Sequence, residues 1–397
     1  MKEAVTEEKI ATKEKGTIDD EAGIAVSGDG TWKKRGFSSR FGVTILIGIL
    51  TGKVVDILVK SSYCKACEFW EKRTNTAEYE EWKQEHECFA NHTGSAGKME
   101  VEGMQEMFQR SVELRAVKYL HYIEDGDCKT FNCILKTNPY DIPVIKKECV
   151  GHVQKRMGTR LRALKKNTKG LGGKGKLTGK CIDELQTYYG LAIRRNADSM
   201  EKMKAAIWAT FLHKISTDEK PQHENCPSGE DSWCSWQRAY ATNTLTGYKH
   251  KTALPQNIQD AIRPIYEDLS RDDLLSRCVG GYTQNNNESL NDLIWKIASK
   301  ETYCTAVTVE IAAYIAAAIF NKGHMSLLTM LQTLNVSIGN AAYNMCQEID
   351  AQRICTAELR TLEATKESRI RRRQNRLRLL DGHTVDEGQL YGAGIAD

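Results

Sequence analysis

Lys118-Tyr-Leu-His-Tyr-Ile-Glu-Asp-Gly-Asp-Cys-Lys-Thr130 is the stretch from which the rest of the chain can be read. Apolar and polar residues alternate as far as Ile123, and the run then breaks on Glu124, Asp125, Gly126 and Asp127. Alternation ending in a Gly-containing acidic turn predicts a strand whose C-terminal end presents carboxylates. In α/β sheets such strand ends are where ligands and metals are held. Three acids within four residues repel one another, so they need a cation, a proton or open solvent. A solvated surface turn meets the last condition and is the commoner origin of an isolated D-G-D. The remainder of the chain has to decide.

At 397 residues there is room for two domains, or for one domain carrying a large insertion. A hydrophobic content of 41% with 27% charged residues is the balance of a folded globular protein and excludes collagen-like and low-complexity classes. The net charge of +4 does not by itself imply a polyanionic partner, but basic residues gather in Lys146–Lys180 and Arg369–Arg378. There are 13 cysteines, an odd number, and the opening MKEAVTEEKIATKEKG lacks the apolar centre of a signal peptide. The longest apolar run, Phe41–Leu50, is about half the length a membrane span needs. These features predict a reducing intracellular compartment and no membrane partner, with clustered Cys and His read as zinc ligands rather than disulfides.

In chain order, residues 1–22 are polar and are expected to be disordered. Gly23–Trp32 is a short strand predicted to end in Asp29. Phe41–Leu50 and Val54–Lys60 are two more β-rich runs, and Thr51-Gly52-Lys53 between them suits a hairpin turn. Three consecutive strands predict an antiparallel meander. Cys64-Lys-Ala-Cys67 and His86-Glu-Cys88 have zinc-ligand spacing, since each short pair can grip one edge of a tetrahedral site. Met99–Val117 has apolar residues at helical spacing, and Val144–Cys149 is a further strand. Gly151–Lys166 is a basic helix whose Lys155, Arg156, Arg160 and Arg162 are candidates for contacting backbone phosphates, with a solvated face as the competing reading. Asn167–Lys180 is Gly/Lys-rich and predicts a mobile loop. Residues 158–277 are expected to form a mainly helical insertion between a first core segment, 23–157, and its completion in 278–380, with a flexible tail at 381–397.

Three acids stand out by position: Asp29 at the end of the first strand, Asp125 at the end of the fourth, and Glu288 in the first turn of a late helix that follows Gln284-Asn-Asn-Asn. If the two strands are neighbours and the helix crosses that edge, the three carboxylates converge. Such a cluster suits two divalent ions serving phosphodiester chemistry, and an all-oxygen ligand set suits magnesium or manganese. With 52 acidic residues in the chain, spacing alone does not select these three.

Motifs add to the positional argument. Asp29-Gly-Thr-Trp-Lys-Lys-Arg-Gly36, Tyr122-Ile-Glu-Asp-Gly-Asp-Cys-Lys-Thr130, Glu148-Cys-Val-Gly-His-Val-Gln-Lys-Arg156, Ala206-Ile-Trp-Ala209, Cys226–Trp236, Arg277-Cys-Val-Gly-Gly-Tyr-Thr283 and Gln284-Asn-Asn-Asn-Glu-Ser-Leu-Asn291 together resemble the Mutator-like transposase domain of arthropod genomes. The likeness runs from about Ile24 to Gly323 and extends more distantly to bacterial transposases of the superfamily. It implies a ribonuclease-H-like α/β core, a mixed sheet with three antiparallel strands first, interrupted by a helical insertion before the final glutamate and followed by C-terminal helices. It also implies a catalytic triad at Asp29, Asp125 and Glu288, magnesium or manganese as cofactor, double-stranded DNA (element ends and target) as partner, a homo-oligomer, no small-molecule substrate, and the nucleus as location. The superfamily's C-x2-H motif matches Cys149 and His152. A structural zinc there would take His223 and Cys226 as its second pair, with Cys234 as a further candidate.

Two residues depart from the family's usual G-D-G-D-S: Glu124 replaces the first Gly and Cys128 the Ser. An added charge at Glu124 would disturb a metal site, which keeps open a second reading, a catalytically silent DNA-binding protein derived from such an element. A nuclease of the same fold is a third. The Arg371–Arg378 run suits nuclear import or phosphate contact, and Trp208, Trp233 and Trp236 are candidates for stacking on a flipped base.

Overall fold

The computed structural model describes residues 1–18, 21–34, 39–125, 128–362 and 368. The Arg371–Arg378 run and the tail 381–397 lie outside the described residues. In chain order the elements are α1 (Lys2–Lys15), β1 (Gly23–Trp32), β2 (Phe41–Gly48), β3 (Val54–Ser61), α2 (Lys65–Trp70), α3 (Ala77–Glu85), α4 (Ala96–Arg115), β4 (Lys118–Glu124), α5 (Cys128–Thr137) and β5 (Ile145–Glu148). They continue with α6 (Val150–Asn167), α7 (Gly179–Arg195), α8 (Met200–Ile215), α9 (Ser235–Ala241), α10 (Gln256–Leu269) and α11 (Asp272–Cys278). Last come α12 (Asn285–Ile297), α13 (Ala306–Lys322), α14 (Met325–Thr333) and α15 (Asn340–Thr361). No helix among the described residues is long and apolar enough to cross a membrane.

The chain divides into two compact units, the first comprising Met1–Lys147 and Gln284–Ile354, the second built on Glu148–Thr283. The first unit holds a five-stranded mixed sheet in the order β3-β2-β1-β4-β5. β1 pairs antiparallel with β2 and parallel with β4, and β2 pairs antiparallel with β3. In space the order begins at β3, not at β1, so the first strand lies in the middle of the sheet and is covered on both faces. Its residues through Gly28 are accordingly all buried, the pattern of an interior strand.

Strand alternation sorts side chains onto two faces. One face, with Val26, Leu46 and Tyr122, packs on Met104, Met107 and Phe108 of α4 and on Ala4 and Val5 of α1. The other, with Val43, Ile45 and Ile47, packs on Leu290 and Ile294 of α12 and on the small-residue face of α13. Two glycines permit the close approach on the α4 side. A Cβ at Gly28 would come within 2.5 Å of the Tyr122 ring, and one at Gly103 within 2.4 Å of Thr44 Oγ1.

The N-terminal segment is a helix, where disorder is expected from its composition. Glu8 explains it: the carboxylate is fully buried and accepts from Leu50 N and Thr51 N, both at 2.8 Å, and from Thr51 Oγ1 at 2.6 Å. It satisfies the β2–β3 turn, whose amides would otherwise be buried without partners. Hydrogen bonds to a charged group contribute about 1.5–3 kcal/mol each before desolvation is subtracted. Glu8→Ala is therefore expected to cost about 2 kcal/mol, read as a shifted urea midpoint. A loss under a few tenths would show that the turn does not depend on α1.

The second unit is helical. Val153, Met157 and Leu161 of α6 pack with Leu185, Tyr189 and Ile193 of α7, Ile207 and Phe211 of α8, and Ile258, Ile262 and Tyr266 of α10. Pro264 lies inside α10. The Gly/Lys-rich segment is pinned, contrary to its compositional reading. Leu171 and Leu177 are buried in the unit's core, and Leu177 N donates to Leu171 O at 3.0 Å.

Candidate functional site

At the carboxyl end of the parallel β1/β4 pair, the register matches Val26 with Tyr122 and Ser27 with Ile123. Carried two residues further, it sets Asp29 beside Asp125, with both on the face that α12 covers. Asp29 is half-buried and Asp125 exposed. Both lie within electrostatic reach of Tyr122, whose hydroxyl is held well above its usual range by burial first and then by Glu124, Glu100, Asp29 and Asp125.

Helix α12 is fastened along β1 by polar side chains spaced three and four residues apart, which is one face of a helix. Gln284 Nε2 donates to Gly28 O at 2.7 Å, and Asn287 Nδ2 to Ser27 O at 3.1 Å. Asn287 Oδ1 accepts from Ser27 Oγ at 2.7 Å, Asn291 Nδ2 donates to Asp29 Oδ2 at 2.7 Å, and Trp295 Nε1 to Thr31 Oγ1 at 2.8 Å. Glu288, one turn after Gln284 and three residues before Asn291, is exposed. A carboxylate only accepts, so Asn291 must present its amide nitrogen to Asp29. That leaves Asn291 Oδ1 buried and without a hydrogen-bond partner.

Glu124 is the last residue of β4 but lies on the opposite face of the sheet from Asp125. It is 3% exposed and ion-paired with Lys146 of β5, and alternation places it on the face of Tyr122 rather than that of Ile123. Its charge is neutralised at a distance from the face where α12 lies.

Among the described residues, two groups bring ligand atoms within 4.8 Å of one another, and either could hold a metal ion; the three acids are not so tightly drawn together. The first group is the expected Cys64, Cys67, His86 and Cys88. His86 Nε2 lies 3.6 Å from Cys64 Sγ and 3.2 Å from Cys67 Sγ, and the Cys67 and Cys88 sulfurs are 3.5 Å apart. Trp82 stacks on the His86 ring at 4.2 Å. Burial pushes the Cys64 thiol up, but amide hydrogen bonds from Cys67 and Phe89 outweigh it and bring it down to about 7.

The second group, in the helical unit, is His213, His223, Cys226 and Cys234. It contains the expected His223 and Cys226 but takes His213 from α8 and Cys234 from the start of α9. Cys149 and His152 are not part of it; Cys149 is buried at the N-cap of α6, and His152 is half-buried in that helix's first turn. A hydrogen bond from Cys226, then His213 and His223, brings the Cys234 thiol down to about 3 despite burial.

Three arginines of the basic helix make ion pairs within the helical unit. Arg156 pairs with Glu148 at 2.7 Å, Arg160 with Asp268 and Arg162 with Asp183. Of the four residues expected on phosphates, Lys155 alone has no ion pair here among the described residues, and it is exposed. Trp208 packs on Phe211 and Tyr266, and Trp233 is buried against Tyr188. Both are core. Trp236 stacks on His223.

A family model described as Mutator-like transposase matches residues 1–234. No curated protein and no solved structure matches the chain.

Proposed function

The chain belongs to the Mutator-like transposase family, and from that premise we propose that it is a DNA transposase that cuts and joins phosphodiesters at the ends of a Mutator-like element. Asp29, Asp125 and Glu288 are its acidic triad. The observation that carries this reading is the polar ladder of α12 on β1, which ties the helix bearing Glu288 to the strand bearing Asp29, beside Asp125. The sheet order β3-β2-β1-β4-β5 with an antiparallel β2 supports a ribonuclease-H-like core.

The donor set fits hard divalent cations, since every candidate ligand is an oxygen and the orphaned Asn291 Oδ1 is one more acceptor beside Asp29. Magnesium or manganese, when bound, would supply Lewis acidity at the scissile phosphodiester. The protein's own part is positional. Asn291 holds the Asp29 carboxylate in one orientation, Lys146 neutralises Glu124 on the opposite face, and the exposed edge leaves Asp125 and Glu288 open to a DNA strand. The Cys64, Cys67, His86 and Cys88 group is read as a structural zinc site, since its four ligands are supplied entirely by the protein. Element ends and target are the double-stranded DNA partners. Acting on two ends at once suits a homo-oligomer, and such substrates place the protein in the nucleus.

The test is magnesium- or manganese-dependent nicking of terminal-repeat DNA by the purified chain and by Asp125→Ala. Nicking by the parent and none by the variant is the expected result. DNA binding without nicking by the parent would assign a silent derivative, and equal nicking by both would remove Asp125 from the site.

A further inference from the structure

The geometry points to a second, closed zinc centre at His213, His223, Cys226 and Cys234, oriented through His223 by a hydrogen-bonded pair, His250 and Asp218. This is independent of the phosphodiester chemistry and lies wholly within the helical unit.

The first argument is metric. A tetrahedral zinc with bonds of about 2.1 Å to nitrogen and about 2.3 Å to sulfur separates its ligand atoms by about 3.4 Å for N···N and about 3.6 Å for N···S. The two Nδ1 atoms of His213 and His223 are 3.3 Å apart. Cys234 Sγ lies 3.6 Å from His213 Nδ1 and 3.5 Å from His223 Nδ1, and Cys226 Sγ lies 3.8 Å from His223 Nδ1. Two nitrogens of neutral imidazoles and two thiols packed only for van der Waals contact have no reason to share one set of tetrahedral edges.

The second argument is the tautomer. Asp218 Oδ1 accepts from both the backbone N–H and Nδ1–H of His250, each at 2.7 Å. With His250 neutral, as a histidine backing a metal ligand is, its Nε2 is the acceptor nitrogen, and it lies 2.9 Å from His223 Nε2. His223 must therefore carry its proton on Nε2, which leaves the Nδ1 lone pair aimed at the other three ligand atoms. A carboxylate–histidine chain behind a ligating histidine is the usual way proteins fix its tautomer and ring orientation. Three of the four ligands are buried, and none of the four positions is left to solvent or substrate. A His2Cys2 set of this kind suits structural zinc and not a catalytic ion. Its role is to bind the end of α8, the loop after it and the start of α9 into one piece.

Full-length protein purified with zinc and counted by plasma mass spectrometry is expected to carry close to two ions per chain. Cys226→Ser/Cys234→Ser is expected to lose one, and its cobalt-loaded form to lose the visible bands of one tetrahedral thiolate centre. Cys64→Ser/Cys67→Ser is expected to lose the other ion and leave this centre intact, so failure of either site is told apart from failure of its neighbour. Full metal content in Cys226→Ser/Cys234→Ser would overturn the proposal. Should that variant not fold, Asp218→Asn and His250→Gln, which keep all four ligands, decide by chelator competition. A weakening of about 10–100-fold is expected, and unchanged affinity in both would overturn it.

Discussion

Asp56→Ala is expected to destabilise the first unit by about 3–5 kcal/mol, the usual cost of stripping one partner from a buried ion pair. Asp56 lies on β3, fully buried, and two arginines of α4 converge on it. Arg110 Nη2 reaches Oδ1 at 2.9 Å and Arg115 Nη2 reaches the same oxygen at 3.0 Å. The remaining capacity is used by Arg110 Nε on Oδ2 at 3.3 Å and by the backbone N–H of Ile57 at 2.9 Å. Removing the carboxylate leaves Arg110 with only Glu106, at 3.6 Å, as an anionic partner among the described residues and strips Arg115 of its Asp56 pair, and Arg115 Nε is already buried without a hydrogen-bond partner. Asp56→Asn keeps the shape and one acceptor, so its cost should be smaller. Urea unfolding followed by circular dichroism reads the difference. If the alanine variant loses under about 1 kcal/mol, the pairs are too well solvated to matter. Asp56→Ala combined with Arg110→Ala and Arg115→Ala should recover part of the loss, because the orphaned charges go with it.

Such features mark where sequence reading stops. The strand of Tyr119–Glu124 and the acidic break after it are visible because period-two alternation and a Gly-Asp turn are local signals. The Cys64, Cys67, His86 and Cys88 group is visible because its ligands come as two short pairs. Asp56, in contrast, reads as an interruption of the apolar Val54–Val59 run; its partners are two arginines more than fifty residues on. Helix α1 was hidden for the same reason. Its buried face is Ala4, Val5, Glu8 and Thr12, and a face half polar is buried only because a distant turn needs Glu8. For the basic helix α6, spacing shows the charges but not their partners: Glu148, Asp268 and Asp183 pair with Arg156, Arg160 and Arg162, and the last two pairs stay on the surface. For the second Cys/His group, the density of Cys and Trp around His223–Trp236 was the available signal. His213 was out of reach of spacing, since it projects from the end of a separate helix.

Asn287→Leu is the substitution expected to couple stability to the site most strongly. The three asparagines before Glu288 suggest helix capping, and the structure puts one of them to a different use. Asn287 is fully buried, donating to Ser27 O and accepting from Ser27 Oγ, so it joins α12 to the strand two residues before Asp29. Leucine has as many side-chain heavy atoms but is bulkier, and it strips the buried Ser27 carbonyl and hydroxyl of their bonds to Asn287, each loss costing about 1–3 kcal/mol. The expected loss is therefore about 2–5 kcal/mol in the first unit. Because Asn291 and Glu288 ride on the same helix, loosening its foot should also lower metal-dependent nicking at temperatures where the protein is still folded. Ser27→Ala separates the two effects. Alone it removes the hydroxyl and should cost about 1 kcal/mol. Added to Asn287→Leu it should cost less than it does alone, since that hydroxyl has already lost its partner. Full additivity would mean that Asn287 and Ser27 act independently, and the helix would then be held on β1 by its apolar face, with the polar ladder contributing little to where Glu288 stands.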